Sequence, residues 1–85
     1  FDWDKARVFY YVAKLGSQVE ASKLLGTSQP ALSRQISILE EELKCKLMKR
    51  SPKGVVLTRK GNELMDNIEQ FFLSMKRFKY SQAVS

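Results

Sequence analysis

Two glycines, Gly16 and Gly26, interrupt the first half of this chain, and each is followed within two residues by a serine. A glycine can end a helix in the left-handed conformation, and a serine can cap the helix that follows. Two such corners this close together leave room for only a short helix between them. The chain is therefore held to a long helix, a short helix and a long helix, joined by tight turns.

The flanking patterns agree. In residues 3–15, "WDKARVFYYVAKL", Val8, Val12 and Leu15 recur at helical spacing, and Phe9 and Ala13 widen the stripe. "SQVE" after Gly16 reads as a capping box, with Ser17 taking the Glu20 amide and Glu20 reaching back. The short helix runs through Leu25 and offers Val19, Ala21, Leu24 and Leu25 to a core. Ala21 and Ser22 are small enough for another helix to cross over them. Leu25, Leu32 and Ile36 are expected to clamp the second and third helices together.

The third helix starts at Ser28, a good N-cap, and tolerates Pro30 because its first turn needs no amide donor. It runs to about Leu43. At 100° per residue Leu32, Ile36, Leu39 and Leu43 share one line. Pro30, Ser33, Arg34 and Ser37 lie opposite, with Gln29 at the leading edge. Glu40, Glu41 and Glu42 gather at the far end, and Lys44 follows with no glycine to end the helix. A helix that enters the major groove leads with short polar side chains, so that its backbone can approach the base edges, and its N-terminus favours phosphate. Gln29, Ser33 and Ser37 are such donor-acceptors, and Arg34 can read guanine or clamp a phosphate. The acidic run should then face away from DNA.

Beyond it, "SPKG" at 51–54 is a turn signal between short apolar and β-branched segments, which predicts a two-stranded hairpin within 47–58 with a basic tip. Thr58 caps a last helix over 59–80. Its apolar residues Leu64, Ile68, Phe71, Met75 and Phe78 form a coiled-coil-like seam, flanked by Met65 and Phe72. Residues 81–85 read as a tail.

The chain has 85 residues and a formal charge of +6, and Lys44, Lys46, Lys49, Arg50, Lys53, Arg59 and Lys60 follow one another with no acid among them. Such a block favours a polyanion. Cys45 is the only cysteine, which rules out an internal disulfide and reads as a small apolar filler. With no histidine, a His-based general base, a Ser-His-Asp triad and a His metal site are all excluded within these residues. No catalytic or metal-ligating set is expected, and no apolar run is long enough to span a membrane. The expected fold is mainly α: a winged helix-turn-helix over 1–58, with a three-helix core and a two-stranded wing, followed by a linker helix over 59–80.

The segment "SQPALSRQISILEEEL", with a following arginine and "GVVLTRKG", resembles the N-terminal DNA-binding domain of LysR-type transcriptional regulators. The resemblance covers nearly the whole chain. In that family the Ser-Gln-Pro segment opens the recognition helix, and the Leu-Thr-x-x-Gly pattern, here Leu57, Thr58 and Gly61, opens the linker helix. The chain departs from the family at Gln18 and Val19, where an aromatic and a threonine are usual, and at Lys44 and Met48, where glycine and phenylalanine are usual.

The resemblance implies a bacterial, cytoplasmic, nucleoid-associated transcription factor that binds double-stranded DNA with inverted half-sites. By motif position Ser28, Gln29, Pro30, Ser33, Arg34 and Ser37 meet DNA from the recognition helix, and Arg50 and Lys53 from the wing. The last helix would form an antiparallel homodimer through Leu64, Ile68, Phe71, Phe72, Met75 and Phe78. No cofactor is expected in these residues. A C-terminal effector domain binding a small co-inducer is expected to follow the tail at 81–85. A competing reading makes the chain a protein-interaction module that works through the aromatic last helix, with the basic block as a solubilising surface. The charge, which lies beside the third helix rather than along the aromatic one, favours DNA.

Overall fold

Asp2 accepts the Asp4 amide at 2.9 Å and starts α1 (Trp3–Leu15), which ends at Gly16 in the left-handed region at φ 65°. In this computed structural model, which describes residues 2–84, α2 (Gln18–Leu25) and α3 (Gln29–Leu43) follow the same logic. Ser17 Oγ accepts the Glu20 amide and Ser28 Oγ the Ala31 amide, each at 3.2 Å. Only half of the expected capping box forms, because the Glu20 carboxylate turns to Lys23 at 3.8 Å. Gly26 closes α2 at φ 65°. Phe1 and Ser85, the ends of the first and last predicted segments, lie outside the described residues.

α3 ends without glycine. Lys44 itself adopts φ 59° and sends its amide back to the carbonyls of Glu40 and Glu41. Then β1 (Met48–Ser51) and β2 (Gly54–Leu57) pair antiparallel, Met48 opposite Leu57 and Ser51 opposite Gly54. Pro52 and Lys53 form the tip. α4 (Arg59–Val84) begins where Thr58 Oγ1 accepts the Gly61 amide at 3.0 Å. It passes Tyr80, where the apolar pattern stops, so residues 81–84 are helix and not tail. No residue there breaks a helix, and a polar helical end leaves no stripe in the sequence to mark it.

The core has two parts. Val8, Val12, Ala21, Leu32 and Ile36 fill the space among α1, α2 and α3, with Leu25 packed against them. Ala6, Phe9, Leu39, Leu47, Met65 and Ile68 join α1 and α3 to the first turns of α4. Met48 touches both parts from beneath the wing. Leu15, Val19 and Leu24, expected in the core, are 45%, 43% and 60% exposed. α2 has only eight residues and buries a single one completely, Ala21. So short a helix meets its neighbours along one edge, and its remaining apolar side chains stay in water.

The seam on α4 is divided as well. Ile68 is buried at 4% and faces the protomer's own core, and Leu64 packs against the same core while staying partly exposed. Beyond Glu69 the described side chains of α4 are exposed, Met75 at 49% and Phe78 at 60%. Trp3 stacks on Phe71 at 4.8 Å and Tyr10 meets Phe72 edge-on at 5.4 Å, which steadies the helix as it leaves the core.

Candidate nucleic-acid interface

The N-terminal half of α3 faces outward. Ser28, Gln29, Pro30, Arg34 and Ser37 are exposed, while Leu32 and Ile36 on the opposite face are buried. The helix thus presents one flank to the core and a polar flank, led by its own positive end, to whatever approaches it. Arg34 takes part in no ion pair among the described residues, so its guanidinium is available. Ser33, on the same flank, is half-buried and already hydrogen-bonded within the chain.

The wing is fixed beside this flank by backbone contacts. The Val55 amide donates to the Gly16 carbonyl at 3.1 Å. Gly54 lies so close to that carbonyl that a Cβ there would sit 2.3 Å from its oxygen, and its φ of 123° also suits only glycine. Ser51 Oγ donates to the Gly54 carbonyl and accepts the Lys53 amide, both at 3.3 Å, which closes the tip. Lys53 stands exposed on that tip.

Arg50, on β1, reaches back from the wing to α3. Its Nη2 donates to Gln18 Oε1 at 2.9 Å and to Ser33 Oγ at 3.3 Å, and Ser33 Oγ donates to Gln18 Oε1 at 2.9 Å. α2, α3 and the wing therefore meet in one polar cluster. Gln18 was absent from the residues expected at the site. The sequence marked it only as a polar side chain at the start of α2, where the family usually carries an aromatic.

The acidic end of α3 behaves differently from a solvated run. Glu41 and Glu42 are exposed, but Glu40 is buried and its Oε2 accepts the Leu47 amide at 2.7 Å. Its other oxygen lies 3.7 Å from Lys46 Nζ. Glu40 thus ties the end of α3 to the segment entering the wing, a structural duty that the charge pattern concealed.

Among the described residues no group of three or more His, Cys, Asp or Glu side chains is arranged to hold a metal ion. No helix there is long and apolar enough to cross a membrane.

Residues 3–62 match the family model described as bacterial regulatory helix-turn-helix protein, lysR family. The chain belongs to the LysR family. The HTH-type transcriptional regulator BbuR of Bordetella bronchiseptica is 41% identical over 78 residues, covering 92% of this chain and 24% of that protein. BudR of Klebsiella aerogenes, also an HTH-type transcriptional regulator, is 43% identical over 61 residues, covering 72% of this chain and 43% of that one. Among solved structures, the DNA-binding domain of CbnR in complex with DNA superimposes with a TM-score of 0.80 at 29% identity, covering 99% of this chain and 98% of that one. The BenM DNA-binding domain on benA site 1 DNA gives 0.80 at 28% identity, with 100% of both chains covered. The chain spans only 24% and 31% of the lengths of BbuR and TfdT, two of its curated relatives. These residues therefore form a LysR-type winged helix-turn-helix domain, as its sequence led one to expect.

Proposed function

We propose that the chain binds double-stranded DNA sequence-specifically, with α3 in the major groove and the wing on the backbone or minor groove, as the DNA-binding part of a bacterial transcriptional regulator. The observation that carries this reading is the exposed polar flank of α3 beside the basic wing, on a frame that matches two DNA-bound domains along their whole length. Gln29, Pro30, Arg34 and Ser37 are the groove-facing candidates, together with the half-buried Ser33 between them, and Ser28 stands at the positive helix end. Lys53 is the candidate phosphate contact at the tip. Arg50 links the two surfaces.

The working unit in this reading is a homodimer through the outer part of α4. It would place two recognition helices on one face of the duplex and select inverted half-sites. The complete protein would act in the cytoplasm as a regulator rather than an enzyme, and answer to a small co-inducer held by a further domain. The protein-interaction reading draws on the same exposed apolar stripe, which homodimerisation would itself cover.

The test is binding to a selected duplex and to random duplexes across a salt series, with and without Arg34→Ala. Affinity should fall with rising salt as phosphate neutralisation requires. Arg34→Ala should cost about 1–3 kcal/mol on the selected site and relax preference at one position of each half-site. A loss of equal size on every sequence would make Arg34 a phosphate contact. No binding to any duplex at low salt would defeat the reading.

A further inference from the structure

The Gln18–Ser33–Arg50 cluster fixes the direction of one proton. A guanidinium carries donors only, so the amide atom of Gln18 that faces Arg50 at 2.9 Å must be its carbonyl oxygen. Ser33 Oγ lies 2.9 Å from that same oxygen, which can only accept, so the hydroxyl proton is committed there. Arg50 Nη2 occupies one lone pair of Ser33 Oγ at 3.3 Å. One lone pair and no proton remain. An unconstrained serine hydroxyl turns to donate or accept as its partner requires, whereas this one can only accept.

We propose that Gln18 sets the base preference of Ser33. By holding the hydroxyl proton, it makes Ser33 select an exocyclic amino group, adenine N6 or cytosine N4, and reject guanine O6 and thymine O4 at the base it faces. This rests on the reading of α3 as the helix that meets DNA. Gln18 is a positioning residue: half-buried at the start of α2, it acts through Ser33. The cluster also ties Arg50 of the wing to α3, so the two surfaces are presented to DNA as one unit.

Site selection from a random DNA pool tests this, run on the unsubstituted chain and on Ser33→Ala. The position where Ser33→Ala loses preference is the base that Ser33 faces, and adenine or cytosine is expected there. Gln18→Met removes the acceptor at similar bulk. It should reduce the preference for amino over carbonyl bases roughly fivefold, the worth of about one hydrogen bond, at that position alone. Gln18→Glu keeps an acceptor for the same proton and should restore the preference, although its charge lowers affinity for all sequences together. Gln18→Ala is the second variant should methionine disturb the fold, and thermal melting of each variant shows whether it does. Guanine or thymine at the Ser33 position, no position lost in Ser33→Ala, or an unchanged preference without the Gln18 acceptor would each overturn the proposal. An unsubstituted chain that selects no sequence at all would overturn the DNA-binding reading, and this proposal with it.

Discussion

Gly61 lies directly against the carbonyl of Leu47: a Cβ on Gly61 would stand 1.9 Å from that oxygen. The same oxygen accepts the Thr58 amide at 3.0 Å, and Thr58 Oγ1 donates to the neighbouring Lys46 carbonyl at 2.6 Å. The start of α4 is thereby fastened to the strand-entry segment through backbone that a side chain would push apart. The glycine of the Leu-Thr-x-x-Gly pattern has a steric reason here, since Gly61 is inside a helix, where glycine is otherwise unfavourable.

Gly61→Ala should therefore destabilise the domain, by about 2–3 kcal/mol, as other forced overpacking does. For a domain of this size that is a fall of roughly 10–20 °C in melting temperature, read by circular dichroism. A melting temperature equal to the parent's would mean that the junction yields without cost and that the close approach is not a constraint.

Lys44 offers the opposite opportunity. It holds φ 59°, the only non-glycine residue with positive φ among those described. That conformation costs a side-chain-bearing residue about 1–2 kcal/mol, part of which is offset by the greater freedom of glycine in the unfolded chain. Lys44→Gly should stabilise the domain by about 0.5–1 kcal/mol. Lys44 stands at the end of α3 far from Ser28, so specificity should not change. A variant that melts lower than the parent would show that the lysine makes up its strain elsewhere.

Those two positions also show what the sequence could reveal. Local chemistry was legible: Ser17, Ser28 and Thr58 cap helices, Gly16 and Gly26 end them, and Lys44 stands out because a glycine is missing. The opposition of Leu32 and Ile36 to Arg34 and Ser37 was legible too, because helical periodicity fixes which residues share a face. What depended on tertiary packing was not. Gln18 meets Arg50 across 32 positions of sequence, and Glu40 turns inward to accept the amide of Leu47, seven residues on. The α4 seam runs unbroken in sequence, yet the core ends beside Ile68 and divides it.

At the wing, charge rather than fit should govern. Lys53 is exposed on the two-residue tip, its backbone amide donates to Ser51 Oγ at 3.3 Å, and its side chain takes part in no ion pair among the described residues. Lys53→Ala should weaken binding to selected and random duplexes about equally and lower the slope of log affinity against log salt by about one unit. An unchanged slope in the titration would place Lys53 away from the phosphates.

The outer part of α4 should decide the oligomeric state. The helix has 26 residues, so it extends roughly 39 Å, well past the core it starts from. Phe71, Phe72, Met75 and Phe78 lie beyond that core, at 42%, 42%, 49% and 60% exposure. An apolar stripe left in water on so small a domain calls for a partner surface, and a second copy supplies one that is complementary by symmetry. Ile68 is unsuited to testing this, because a charge at that buried position would unfold the protomer itself. Met75→Asp combined with Phe78→Asp spares the core. Each truncates an interface side chain worth about 1.5–3 kcal/mol when buried. The pair should yield monomers by sedimentation that melt with the same helical signal. Affinity for an inverted repeat should fall towards that for a single half-site, since one protomer then binds without its partner. If the unsubstituted chain already sediments as a monomer at micromolar concentration and still prefers the inverted repeat, the outer part of α4 is not the dimer interface.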